Sequence, residues 1–66
     1  MVHLQIGSLY EFTLASGRQV LIIVHGSQQQ PSGQIGWEIS VNGVKAIHKG
    51  INEALGENFA AIKLIP

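Results

Sequence analysis

The chain has 66 residues, 45% of them apolar and 12% charged, with a formal net charge of zero and no cysteine. A body of this size buries only about 60% of the surface its unfolded chain exposes, so one core alone is marginal. Disulfides and thiolate zinc sites are excluded, and a neutral balance gives no general pull toward phosphate backbones.

Taken in order, residues 1–6 alternate loosely, with Val2, Leu4 and Ile6 opposing His3 and Gln5, as a short edge strand or an ordered tail would. This start lacks the basic opening and long apolar run of a signal peptide, and no apolar stretch approaches the roughly 18 residues of a membrane span. A soluble, cytoplasmic protein is expected, and the lack of cysteine fits a reducing compartment. Residues 9–14 alternate cleanly, with Tyr10, Phe12 and Leu14 against Glu11 and Thr13. That is the pattern of a half-buried strand. Gly17 then supplies a turn, which predicts an antiparallel hairpin with the next strand.

The next strand organises the chain. Residues 20–24 read Val-Leu-Ile-Ile-Val, a short run of large aliphatics between Gly17 and Gly26. Side chains alternate on a strand, so Val20, Ile22 and Val24 face one way and Leu21 and Ile23 the other. Both faces are apolar, and the strand needs covering twice. Residues 26–36 follow without periodicity and rich in turn formers, which predicts a solvated, mobile loop.

Residues 34–41 resume a strand, with Trp37, Ile39 and Val41 on one face and Glu38 and Ser40 on the other. Asn42-Gly43 is the preferred pair for a two-residue type I′ turn. It predicts that Val41 pairs with Val44, Ser40 with Lys45, Ile39 with Ala46, Glu38 with Ile47 and Trp37 with His48. From 44 to 55 two readings stand. Residues 44–49 form a strand followed by one or two helical turns over 51–55, or Val44, Ile47, Ile51, Ala54 and Leu55 lie on one helix that stops at Gly56. Gly50 in the middle weighs against the long helix, at about 1 kcal/mol relative to alanine. A last strand runs over 59–65.

Five strands with a short helical turn before the last make a single all-β domain over 1–66. This order resembles the SH3-like small barrels, a group that takes in Sm-like proteins. The resemblance covers roughly residues 9–65, through the order of elements, the Gly17 turn and the closing strand. It implies a fold and no activity. Residues 26–36 carry neither the acidic, aromatic loop of an SH3 peptide binder nor the basic residues of an Sm-like RNA binder. If the long helix forms instead, the fold is α+β, an antiparallel sheet with one helix near 44–55.

A small barrel has one interior, so the outer face of 20–24 needs a cover of its own: the 51–55 turns, the N-terminal segment or a neighbouring subunit. The composition favours the last. The expected function is a non-enzymatic assembly or protein-interaction module, homo-oligomeric or docked on a protein partner through Leu21 and Ile23. A second reading is a ligand or single-stranded nucleic-acid binder using His25, Gln28, Gln29, Gln30, Gln34, Trp37 and His48, since such rings stack on bases, sugars or prolines. The simpler roles are Trp37 as the main core residue and the glutamines as a solvated connector. Catalysis by His25 and Ser27 is disfavoured, because adjacent strand residues diverge and the chain has no aspartate to orient the histidine. Three histidines and four glutamates, in no close ligand spacing, predict no metal, and no cofactor is expected.

Overall fold

The computed structural model describes residues 4–66. Five strands, β1 (Leu9–Leu14), β2 (Gln19–Gln29), β3 (Ile35–Val41), β4 (Val44–His48) and β5 (Phe59–Ile65), form one antiparallel sheet in the order β4-β3-β2-β1-β5. One short helix, α1 (Ile51–Leu55), precedes β5. The half of the N-terminal alternation that rests on Val2 and His3 lies outside the described residues. Residues 4–6 belong to no strand.

The alternation in β1 and β2 decides which face is dry. Tyr10, Phe12 and Leu14 are buried together with Val20, Ile22 and Val24, and Ile39 from β3 and Leu55 from α1 join them in one core. Phe12 sits at its centre. It pairs with Val20 on one side and Ile62 on the other, and its ring meets Phe59 edge-on at 5.1 Å. Such edge contacts add to the area term, because the positive ring edge faces the negative ring face.

The sheet does not close into a barrel: β4 and β5 are its two edges. A closed barrel would seal its core by pairing those strands. Here α1 packs on β3 and β4 and drives Leu55 into the core, with Ile51 and Ala54 beside it. The apolar volume is thus filled by a helix. Of the two readings of 44–55, the strand followed by a short helix is the one present. Gly56, with φ 76°, ends the helix, its N–H bonding the Asn52 carbonyl at 3.0 Å.

A second departure concerns residues 26–36, which form a hairpin and not an open loop. The ladder continues through Gly26–Glu38, Ser27–Trp37, Gln28–Gly36 and Gln29–Ile35. Gly33, with φ 89°, shapes the tip, where the Gln30 N–H bonds the Gln34 carbonyl at 2.7 Å. Backbone pairing needs no apolar alternation, so hydropathy carried no trace of it. Between Val24 and Gly26 the register slips, leaving His25 as an extra residue in β2. Because β1 pairs with β2 only as far as Ile23 and β4 with β3 only as far as Trp37, this hairpin projects past both, and its outer part is a two-stranded ribbon.

The Asn-Gly turn holds the register of β3 and β4. All five pairs follow from it, from Val41–Val44 to Trp37–His48. Asn42 and Gly43 have φ of 51° and 86°, the left-handed values that a type I′ turn demands. Asn42 also anchors the turn to the next strand: its N–H bonds the Leu21 carbonyl at 2.8 Å, and its Oδ1 accepts from the Leu21 N–H at 2.9 Å. Replacing Asn42 by alanine removes that acceptor and imposes strain, a combined loss of about 1–2 kcal/mol. Asn42→Gly, which keeps the backbone geometry, should lose less. Urea melts of the two variants with an unchanged m-value check the ordering.

Candidate functional site

The two faces of the sheet have different surroundings. On the inner face, directly opposed residues line up in rows across the strands, and one row reads Ser27–Trp37–His48. This row lies beyond the end of β1, where the core stops. Trp37 is consequently not the main core residue: it is 36% exposed, while Phe12, Leu14, Ile22 and Ile39 are the fully buried large side chains. Next to it on the same face is the pair Gln29–Ile35, with Ile35 53% exposed.

His48 is held at the far end of the row. Its Nδ1 lies 3.8 Å from Glu53 Oε1, and the same carboxylate oxygen accepts the Lys49 N–H at 3.3 Å. Glu53 thereby ties the start of α1 to the end of β4 and gives the row an acidic end.

His25 is not part of this cluster. Its side chain reaches Ser40, with Nε2 and Oγ 2.6 Å apart. Ser40 alternates with Ile39 and Val41, so the pair sits on the outer face, opposite to Trp37 and His48. Ser27 lies in the Trp37 row and does not meet His25. The slipped register explains this, because an extra residue in one strand re-aims the side chains around it. Ser40 is only 9% exposed, and the described residues place no carboxylate in hydrogen-bonding contact with His25. The contact joins β2 to β3. Sequence spacing held no signal for it, because the partner is chosen by the bulge.

The glutamines also separate. Gln29 shares the face of Trp37. Gln28 pairs with Gly36 on the outer face, and Gln34 is exposed beside the tip. Gln30 folds back over Gly36: a Cβ at that glycine would collide with the Gln30 Nε2 and lie 2.7 Å from Ile47 Cγ2. Gly36 therefore makes room for a carboxamide and a neighbouring aliphatic to close over the ribbon's root.

Leu21 and Ile23 lie on the outer face, where Leu9 is directly opposite Ile23 and Ile65 directly opposite Leu9. Leu21 is 43% exposed, and Leu9, Ile23 and Ile65 are half-buried. Around them Glu11 faces Lys63 across β1 and β5, and Glu38 lies 3.9 Å from Lys45. Among the described residues, no three histidine, aspartate or glutamate side chains cluster as a metal site, and no helix is long and apolar enough to cross a membrane.

No family model, curated protein or solved structure matches this chain. Function has to be read from the two surfaces themselves. One feature of the outer surface is open to direct test. Gly36→Ala forces the Gln30 carboxamide and Ile47 apart and should cost about 1–3 kcal/mol, the usual scale for overpacking. In a Gln30→Ala background the cost should fall, because one of the two collisions is gone. Thermal melts of the four proteins in that cycle check it.

Proposed function

We propose that this chain is a small, non-enzymatic self-association module, which packs the outer face of its sheet against the same face of a second copy. The observation that carries this reading is the fate of the internal covers. Leu55, Ile51 and Ala54 of α1 pack against the inner core, and Leu4 of the N-terminal segment does the same. As far as the described residues go, both segments that could cover the outer face are thus committed to the other side. Leu21, Ile23, Leu9 and Ile65 are left as a continuous apolar strip over β2, β1 and β5.

A second copy fits this strip for two reasons. Its charged neighbours come in opposite-sign pairs, Glu11 with Lys63 and Glu38 with Lys45, so the face is neutral and does not repel itself. A two-fold contact sets a patch against its own copy, which requires that compatibility. Covering Leu21 and Ile23 would contribute about 1–2 kcal/mol each at 25 cal/mol per Å². For a domain with total stability near 5 kcal/mol that is a large share. The strand order, with a short helix before the last strand, supports reading the fold as an opened relative of the SH3-like and Sm-like small barrels. The absence of cysteine fits work in a reducing cytoplasm.

Sedimentation velocity from low to high micromolar concentration tests the proposal. The wild type should associate, with a melting temperature that rises with concentration. Leu21→Lys is the informative variant: the new lysine faces Glu11 across the strands, so the monomer fold is retained while the apolar strip is broken. Its self-affinity should fall on the order of tenfold or more. A wild type that stays monomeric at high micromolar concentration overturns the reading. So does an assembly that Leu21→Lys leaves intact.

A further inference from the structure

We infer that the inner-face row Ser27–Trp37–His48, at the root of the projecting ribbon, is a shallow binding platform for a neutral, hydroxyl-rich ring, that is, a saccharide. The inference is independent of self-association, which uses the opposite face. It starts from an expense that the core does not require. The single tryptophan of the chain stands 36% exposed beyond the end of β1, although a domain this small gains most by burying its largest ring.

The groups around the indole select the ligand. An exposed indole face packs on the C–H side of a ring, and its neighbours must then meet the ring's edge. Ser27 and His48 flank Trp37 on either side, and Gln29 stands in the next row. Hydroxyl, imidazole and carboxamide groups both donate and accept, as do sugar hydroxyls. The row spans two inter-strand gaps, about 10 Å, which matches a short saccharide segment. Glu53, held against His48, sets one end of the row and offers acceptors to further hydroxyls.

Two other ligand classes fit less well. A nucleic-acid strand needs cations for its phosphates. Lys45 and Lys63 project from the opposite face, Arg18 lies in the turn between β1 and β2, and Lys49 follows His48 and so alternates away from the row. Among the described residues, the charge placed at the row is the Glu53 carboxylate beside His48, which repels phosphate. A proline-rich peptide needs a groove walled by several aromatics. Tyr10 and Phe12 are buried, and Phe59 is occupied by its contact with Phe12.

Because Trp37 is the single tryptophan, its emission reports this platform alone. The full chain is titrated with maltohexaose, cellohexaose and chitohexaose, followed by fluorescence and calorimetry, and in parallel with oligothymidylate and a proline-rich peptide. At least one saccharide should shift the emission saturably, with an affinity that does not change with salt. Trp37→Ala should weaken that binding about tenfold or more, and Ser27→Ala, at an exposed position, by a smaller factor. If Trp37→Ala does not fold, Trp37→Phe and Ser27→Ala carry the comparison. Leu21→Lys should bind as the wild type does, which separates this site from assembly. Silence of all three saccharides at millimolar concentration overturns the inference, as does binding that survives loss of the indole. Salt-steep binding of oligothymidylate, or binding of the peptide alone, overturns it in favour of that other class.

Discussion

A sheet has two faces, and among the described residues the structure outside the sheet packs on one of them. Phe12 marks the covered side, fixed between Val20, Ile62 and Phe59 with Leu55 brought in by α1. Each remaining feature is a consequence of that choice. The helix is five residues long, and it sets Leu55 into the core of Phe12, Ile22 and Ile39 with Ile51 and Ala54 beside it. Among the described residues nothing comparable remains for Leu21 and Ile23. Alternation along β2 makes this unavoidable: a strand cannot present Val20, Ile22 and Val24 to a core without presenting the residues between them to the other side.

The sheet also thins along its length. Five strands overlap as far as the Leu9–Ile23 pair, three (β2, β3 and β4) continue to the row of Ser27, Trp37 and His48, and only β2 and β3 run on from there as the ribbon. Core residues stop one pair past the end of β1, at Val24 and Ile39. The inner-face side chains past that line include Ser27, Gln29, Ile35 and Trp37, all exposed. Gly36 belongs to the same region for a different reason, since its missing side chain lets Gln30 and Ile47 approach and stiffen the ribbon's root.

Periodicity made the strands legible because each half-buried strand leaves a two-residue repeat, and the Asn42-Gly43 pair made one register legible to the residue. The two-sided character of 20–24 was equally plain, as was the weakness of a long helix through Gly50. Three things had no signature. The β2 half of the ribbon is Gly26, Ser27, Gln28 and Gln29, which show no apolar alternation, so the pairing partner of the alternating Ile35–Trp37 half left no trace. The bulge at His25 depends on which residue pairs across a gap, and it decides that His25 meets Ser40 rather than Trp37. The exposure of Trp37 follows from the length of β1 relative to β2, a property of the assembled sheet. Closure failed as an expectation for a related reason: whether the last edges pair depends on what else fills the core, and α1 fills it.

The two open edges bear on how such a sheet can associate. Unpaired strands invite a neighbour's backbone, and proteins obstruct them with lysine or with bulges. Both devices are present. β4 carries Lys45 next to its start, held toward Glu38, and β5 carries Lys63 together with a slip at Ala60, where Thr13 pairs with Ala61 and Leu14 with Phe59. An incoming strand would meet a broken ladder on one side and a charged side chain on the other. The outer face has no such obstruction. Its charges come in opposite-sign pairs, Glu11 beside Leu21 being matched by Lys63 and Glu38 by Lys45, so the route left least defended is face to face, through Leu21 and Ile23.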